Sequence, residues 1–404
     1  MKIERESLLL VAPAIYLFVL PLAHTTALRS IAFGVSVLLL LSTWRSFSAP
    51  SIPLKAPFAA WLTLALVTLV WAIRPDYSLG EIKTEILYGF LTFLIFIKAT
   101  RSDRELNFWF LTLAASALLV GTFALVHSLR GLNPYLVGMH GGILHYAGYL
   151  NTIFPMLAAM TILRPGWHRV FLICLMAFLL VTAIASTSRA VWVGFLLELA
   201  IFGGLYLKFM DVRRRVRKAA IAASIGVFVL LTAAFLFVAK EKLHLSGGPV
   251  EIIIQTTKSD LRPKLWADSI TFIEQRPITG AGFGRMVLGE ELVAQQKDPN
   301  HTHAHNIVLN SALQLGLLGP FVLAFFFYSI VRELWKVMKS SDKVLRILGI
   351  AGFSLLGGIF VQSMVEDLLV RHLAWLFWAL LGMTLGYAMN KSRGVSEGAR
   401  LAPG

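Results

Sequence analysis

The lengths of the apolar runs constrain this chain more than any other feature. They recur in blocks of about 16 to 25 residues, split by short charged or Gly/Pro-containing stretches, and a helix needs about 20 apolar residues to cross roughly 30 Å of hydrocarbon. Backbone N–H and C=O groups in lipid must be satisfied within the protein, so such blocks fold as membrane helices. A β-barrel would show short alternating segments, and none occurs. With 57% hydrophobic and 15% charged residues, the 404-residue chain lies far from the balance of a soluble domain.

The runs predict an all-α integral membrane protein with twelve transmembrane helices, near residues 7–22, 27–44, 56–73, 83–99, 106–127, 144–163, 169–186, 190–207, 218–239, 306–331, 345–365 and 372–389. The first follows a short basic start but lacks a small-residue cleavage site, so it reads as a retained helix. Alternating the connections puts 23 Lys and Arg on the side of the termini and 6 on the short loops opposite. Positive charge collects on the cytoplasmic face, which places both termini there. The remaining basic residues lie in one long outer loop between the ninth and tenth helices. The expected organisation is therefore 1–239 for helices one to nine and 240–305 for the outer loop, with an amphipathic helix and an active-site segment. Helices ten to twelve follow in 306–390, then a polar cytoplasmic tail, 391–404, expected to be disordered. The net charge of +15 is scattered among loops and forms no basic face, so no nucleic-acid partner is implied. Cys174 is the single cysteine, which excludes a disulfide within the chain.

Charges held close to the membrane on the outer side are costly and carry functional expectation. Arg189, in "ASTSRAVWVGF", stands between two spans with almost no loop, beside Ser186, Thr187 and Ser188, whose hydrogen-bonding groups favour a functional arginine over the plainer reading, a snorkelling anchor. In the long loop, "RPKLWADSITFIEQ" (262–275) has Pro263 in its first turn and Trp266, Ile270 and Ile273 at helical spacing. This helix either lies at the interface or packs over a site cavity. "RPITGAGFG" (276–284) places Gly280, Gly282 and Gly284 as a phosphate-cradling loop or a tight turn, without the strand and helix of a dinucleotide site.

Three histidines in "HTHAHN", His301, His303 and His305, alternate before the tenth span. Alternation on an extended segment puts them on one face, which is compatible with a metal site. A neutral imidazole acting as general base is the metal-free alternative, and capping of the helix entry is the structural one, favoured for His301. Asn306 opens the helix, whose N-terminal amides favour anions. Asp367, in "VEDLLVRH", orients a histidine or arginine, or pairs with Arg371 one helical turn on.

Taken together these residues resemble a known family. His305-Asn306, nine residues and Gly316-Leu-Leu-Gly319 reproduce the His-Asn-x9-Gly-x-x-Gly signature of bacterial O-antigen ligases. Within the wider superfamily of O-antigen polymerases and protein O-oligosaccharyltransferases, "TSRA" (187–190), Arg262 with Trp266, and "P-x-x-G-x-G-x-G" (277–284) look similar as well. The resemblance covers nearly the whole chain and includes the large outer loop. It implies transfer of O-antigen polysaccharide from undecaprenyl diphosphate to lipid A-core, on the periplasmic face of the bacterial inner membrane, in lipopolysaccharide biosynthesis.

The resemblance also implies an inverting glycosyltransferase with no metal and no cofactor, and this chain has no Asp-x-Asp. His305 would take the acceptor proton, with His303 the near alternative; Arg189 and Arg262 would hold the diphosphate, and Ser188, Trp266, Asn306, Gly282, Gly284 and Asp367 would support them. Related polymerases carry basic residues before the sixth span; here that region offers His140 and His145, with Arg130 as the substitute. Membrane lipids complete the expected partners. The rivals are a polymerase, a protein O-oligosaccharyltransferase and, in another class, a small-anion transporter, which would place discontinuous helices near mid-membrane.

Overall fold

In the computed structural model, residues 2–42, 52–129, 143–185, 189–242, 251, 262–296 and 302–401 are described. They form α-helices and short turns, with no β-strand among the described residues. The helices are α1 (Lys2–Val19), α2 (Thr26–Ser42), α3 (Lys55–Thr68), α4 (Pro75–Glu81), α5 (Tyr88–Ala99), α6 (Asp103–Leu129), α7 (Ile143–Leu163), α8 (Trp167–Ala185), α9 (Arg189–Phe209) and α10 (Arg214–Lys242). After the outer segment α11 (Arg262–Gln275) and α12 (Gly289–Gln296) come α13 (Ile307–Leu315), α14 (Leu318–Met338), α15 (Lys343–Ser363) and α16 (Arg371–Leu401). Among the described residues, four helical stretches are long and apolar enough to cross a membrane: Asp103–Val126, Trp192–Phe209, Lys343–Ser363 and Arg371–Ser392. Six more, among them Thr26–Ser42 and Gly148–Leu163, are apolar but shorter. The protein is an all-α membrane protein.

Two expectations fail. The tenth span, expected as one helix over 306–331, is two: α13 ends at Leu315, Gly316 takes φ of 65°, and α14 starts at Leu318. A left-handed glycine ends the α-helical hydrogen-bond run and redirects the chain. The tail expected to be disordered instead continues α16 to Leu401, because nothing from Lys391 to Leu401 is a proline that would stop the helix.

Packing follows membrane rules, in which small residues let helices approach. α16 lies along α5. Gly382 and Gly386 face it one turn apart, so close that an added methyl group would sit 2.6 Å from the Phe93 carbonyl oxygen and 2.5 Å from that of Ile97. α15 packs against α7 and α9. That contact buries polar groups: Asn151 Nδ2 donates to Gln362 Oε1 at 2.7 Å, Ser354 Oγ donates to the Glu198 carbonyl at 2.7 Å, and Gly358 leaves room for the Glu198 carboxyl. Neither carboxyl oxygen of Glu198 meets a hydrogen-bond partner among the described residues.

The segment 262–296 packs on the helices that follow it and adds a small apolar core of its own. Leu265, Ile273, Val287, Leu288 and Leu292 gather with Ala304 and with Ala312 and Leu313 of α13. The α5–α16 contact yields a test. Gly386→Leu overpacks it, at a cost of about 1–3 kcal/mol. Thermal unfolding in detergent should shift down by several degrees, whereas Gly203→Leu, in open space on α9, should leave it unchanged.

Candidate active site

The site is built where the outer segment meets the break between α13 and α14. Gly280, Gly282 and Gly284 have φ of 64°, 111° and 126°, which side-chain-bearing residues rarely adopt. Their turn inserts into the break. Gly280 N donates to Arg276 O, Ala281 N to Leu313 O, Gly282 N to Gln314 O and Gly284 N to Gln314 Oε1, at 2.8–3.0 Å. Leu317 N in turn donates to Pro277 O at 2.8 Å. These amides are spent on the protein's own carbonyls, so the geometry here is that of a tight turn.

α11 covers this junction. Leu265, Ser269 and Ile273 are buried, and Trp266 Nε1 donates to Ala304 O at 3.0 Å, which fixes the histidine segment from outside. Arg262 is the first residue of this helix and is half-buried. Asn306 caps α13: its Oδ1 accepts from the amides of Val308 and Leu309 at 3.0 Å, and its Nδ2 donates to Met364 O at 3.0 Å. The cap thereby ties the histidine segment to the α15–α16 connection.

The segment is bent, not extended as expected. His305 takes φ of 49°, an uncommon conformation for a residue with a side chain. The bend brings the imidazoles of His303 and His305 together, with centroids 3.9 Å apart and planes tilted by 33°, and turns both onto one carboxylate, Glu366. His303 Nε2 lies 3.3 Å from Glu366 Oε1, and His305 Nδ1 lies 2.7 Å from Oε2. His303 Nδ1 is 3.3 Å from Thr302 Oγ1.

Burial alone would raise the Glu366 pKa, but hydrogen bonds from His303 and His305 outweigh it and hold the carboxyl well below the usual range. Burial holds His303 below its ordinary value against the pull of Glu366, with the positive charge of Arg285 adding to the effect. An ionised carboxylate only accepts hydrogen bonds, so the nitrogens facing it, His303 Nε2 and His305 Nδ1, bear the protons. The lone pair of His303 then sits on Nδ1, toward the Thr302 hydroxyl. That of His305 sits on Nε2. His305 is also the more accessible, with 15% of its side chain exposed against 6% for His303.

Asp367 does not play either part expected of it. Its Oδ2 accepts from Asn310 Nδ2 at 2.9 Å, and its carbonyl accepts from Arg285 at 3.1 Å. The connection from Met364 to Val370 is not helical, so Arg371 is not one turn away. Its guanidinium pairs with Glu81 at 3.3 Å, and its amide donates to both oxygens of Glu85 at 2.9 Å. The carboxylate that orients the histidines is the neighbouring Glu366. Glu366 and Arg285 are the residues that sequence reasoning missed; each adjoins a residue it selected, Asp367 and Gly284 respectively.

Arg189 opens α9, but its side chain lies outside the described residues. Ser186, Thr187, Ser188, Arg130, His140, His301 and the side chain of His145 also lie outside them. A cleft of about 100 Å³ is walled by Trp61, Phe283, Phe326 and Trp378 and bounded by Glu85, Arg285 and Asp367; His303, His305 and Glu366 do not line it.

Fold and site thus define a membrane protein with paired histidines oriented by one buried carboxylate, within the electrostatic reach of Arg285. Residues 174–324, which include both histidines, match the family described as O-antigen ligase. No curated protein matches the chain.

The ionised state of Glu366 is testable. A carboxyl with a depressed folded pKa stabilises the fold fully above its unfolded value, about 4.3, and loses that contribution as pH falls through this range. Glu366→Gln should lower stability at pH 7 by about 2 kcal/mol. The gap from wild type, followed by thermal unfolding in detergent, should narrow below about pH 5; a gap independent of pH would show that the carboxyl is not ionised in the fold.

Proposed function

We propose that this protein is an O-antigen ligase. It transfers O-antigen polysaccharide from undecaprenyl diphosphate to lipid A-core on the periplasmic face of the inner membrane, in a metal-independent, inverting glycosyl transfer. The observation that carries this reading is the pair His305 Nδ1 and Glu366 Oε2 at 2.7 Å, whose histidine lies inside the stretch, 174–324, that matches the ligase family.

The reaction needs a base, an anomeric carbon held in line and a sink for diphosphate charge. With Nδ1–H committed to Glu366, His305 Nε2 receives the proton of the acceptor hydroxyl as its oxygen attacks the anomeric carbon from the face opposite the diphosphate. Glu366 fixes the tautomer and stabilises the imidazolium that forms, as the carboxylate does in a serine hydrolase triad. The leaving diphosphate takes the bonding electrons, and its charge is met by Arg189 and Arg262. The apolar wall of Trp61, Phe326 and Trp378 suits the lipid part of a carrier. Both termini lie in the cytoplasm on the charge distribution.

One observation favours a second reading. A helix broken at Gly316 and the buried Glu198 are features of transporters. The ligase reading accounts for the break as the seat of the 277–284 turn, which locks the segment over the histidines to the membrane helices, and leaves Glu198 to packing.

The two separate in a strain that lacks its ligase. His305→Ala should insert in the membrane at wild-type level yet reduce capping of lipid A-core at least 100-fold, since general base catalysis contributes roughly 10²–10⁴. His303→Ala should cost less. Normal capping by both variants would remove histidine catalysis. Arg189→Lys keeps the charge but loses the planar fork, so the expected result is a large fall in kcat/KM; unchanged activity would show that a point charge suffices.

A further inference from the structure

The triad of His303, His305 and Glu366 has a second chemical capacity. One ligand atom from each lies within 4.8 Å of the others. Tetrahedral zinc holds such atoms at about 2.0–2.2 Å, which spaces them about 3.4 Å apart. The two hydrogen-bonded separations, 2.7 and 3.3 Å, are already near that figure. All three groups are largely buried, and the loop that bears the histidines is pinned by Trp266 and Asn306.

We propose that His303, His305 and Glu366 form a transition-metal site and that a zinc-class cation bound there switches the transfer reaction off. Two imidazoles with one carboxylate suit zinc, cobalt, nickel or copper over magnesium or calcium. The proton inventory balances without release. His303 moves its proton from Nε2 to Nδ1, where the Thr302 hydroxyl accepts it, and His305 moves its proton from Nδ1 to Nε2 through solvent. Glu366 stays ionised, and water takes the fourth position. The metal is then held by His303 Nε2, His305 Nδ1 and a Glu366 oxygen, with Thr302 orienting the first imidazole as an outer partner.

The consequence for the reaction is direct. Metal on Nδ1 forces the Nε2–H tautomer of His305, and that nitrogen has no lone pair with which to take the acceptor proton. The inhibition rests on the ligase reading, whereas the metal site itself does not.

Full-length protein without a polyhistidine tag, stripped by chelator and purified in detergent, would be titrated with zinc by calorimetry. Cobalt(II), titrated in parallel, would report its ligands through visible absorption. One equivalent should bind with a tetrahedral cobalt spectrum, unaffected by excess magnesium. His305→Ala and Glu366→Gln should each weaken binding by about 100-fold, and Thr302→Val, which keeps all three ligands, by about 10-fold. Equal zinc affinity of wild type, His305→Ala and Glu366→Gln would overturn the site, as would a hexa-aqua-like cobalt spectrum. Transfer by wild type should fall in proportion to zinc occupancy and return with EDTA; an unchanged rate at full occupancy would overturn the switch. If the metal-free protein transfers no polysaccharide, the ligase reading falls while the titration still decides the site.

Discussion

The site depends on how one break in a helix is satisfied. Where α13 gives way to α14, backbone groups lose their helical partners, and in or near lipid no water is at hand to replace them. The turn from Pro277 to Gly284 supplies the partners. Its amides reach Leu313 and Gln314, while its Pro277 carbonyl accepts from Leu317. The exchange works only because Gly280 and Gly316 take positive φ and present no side chain. A Cβ at Gly280 would collide with backbone of Gln314, and one at Gly316 with backbone of Pro277 and Ile278. The outer segment is thereby locked to the membrane helices, and α11 is brought over the histidines through Trp266.

On this frame a single carboxylate decides the chemistry of two imidazoles. Glu366 receives one hydrogen bond from each, and the shorter goes to the more accessible ring. Had the carboxyl been protonated, it would donate one hydrogen bond and the tautomers would scramble. Its low pKa removes that freedom, so the lone pair of His305 faces away from Glu366, on the nitrogen that the proposed reading uses as the base, while that of His303 turns to Thr302. The pair is unequal by geometry. The same arrangement makes the site vulnerable, because the protons that set the tautomers occupy the positions a metal would take.

Much of the fold was legible because lipid leaves so few choices. Long apolar runs in this chain had to be helices. The sequence was less informative where a helix is interrupted. "NIVLNSALQLGLLGPFVLAFFF" reads as one continuous apolar run, and Gly316 resembles the packing glycines at 382 and 386. Only the partner segment distinguishes them: Gly382 and Gly386 face another helix, whereas Gly316 faces an inserted turn. That is a long-range fact, absent from local periodicity.

The candidate site divides in the same way. His303, His305, Asn306 and Trp266 were visible as residue types at telling spacing, and the structure brings them to one junction. The carboxylate was misassigned by one residue for a physical reason. Pairing Asp367 with Arg371 assumed helical spacing, but the chain from Met364 to Val370 is an irregular connection, so adjacent side chains diverge. Asp367 turns toward Asn310 on α13, and Glu366 toward the histidines. In a helix a one-residue shift rotates a side chain by about 100°; in this connection it exchanges a carboxylate bound to Asn310 for the one that holds both histidines. Spacing rules therefore locate a site on regular elements, whereas on an irregular connection the choice between adjacent acids is made by the partners the fold brings to them.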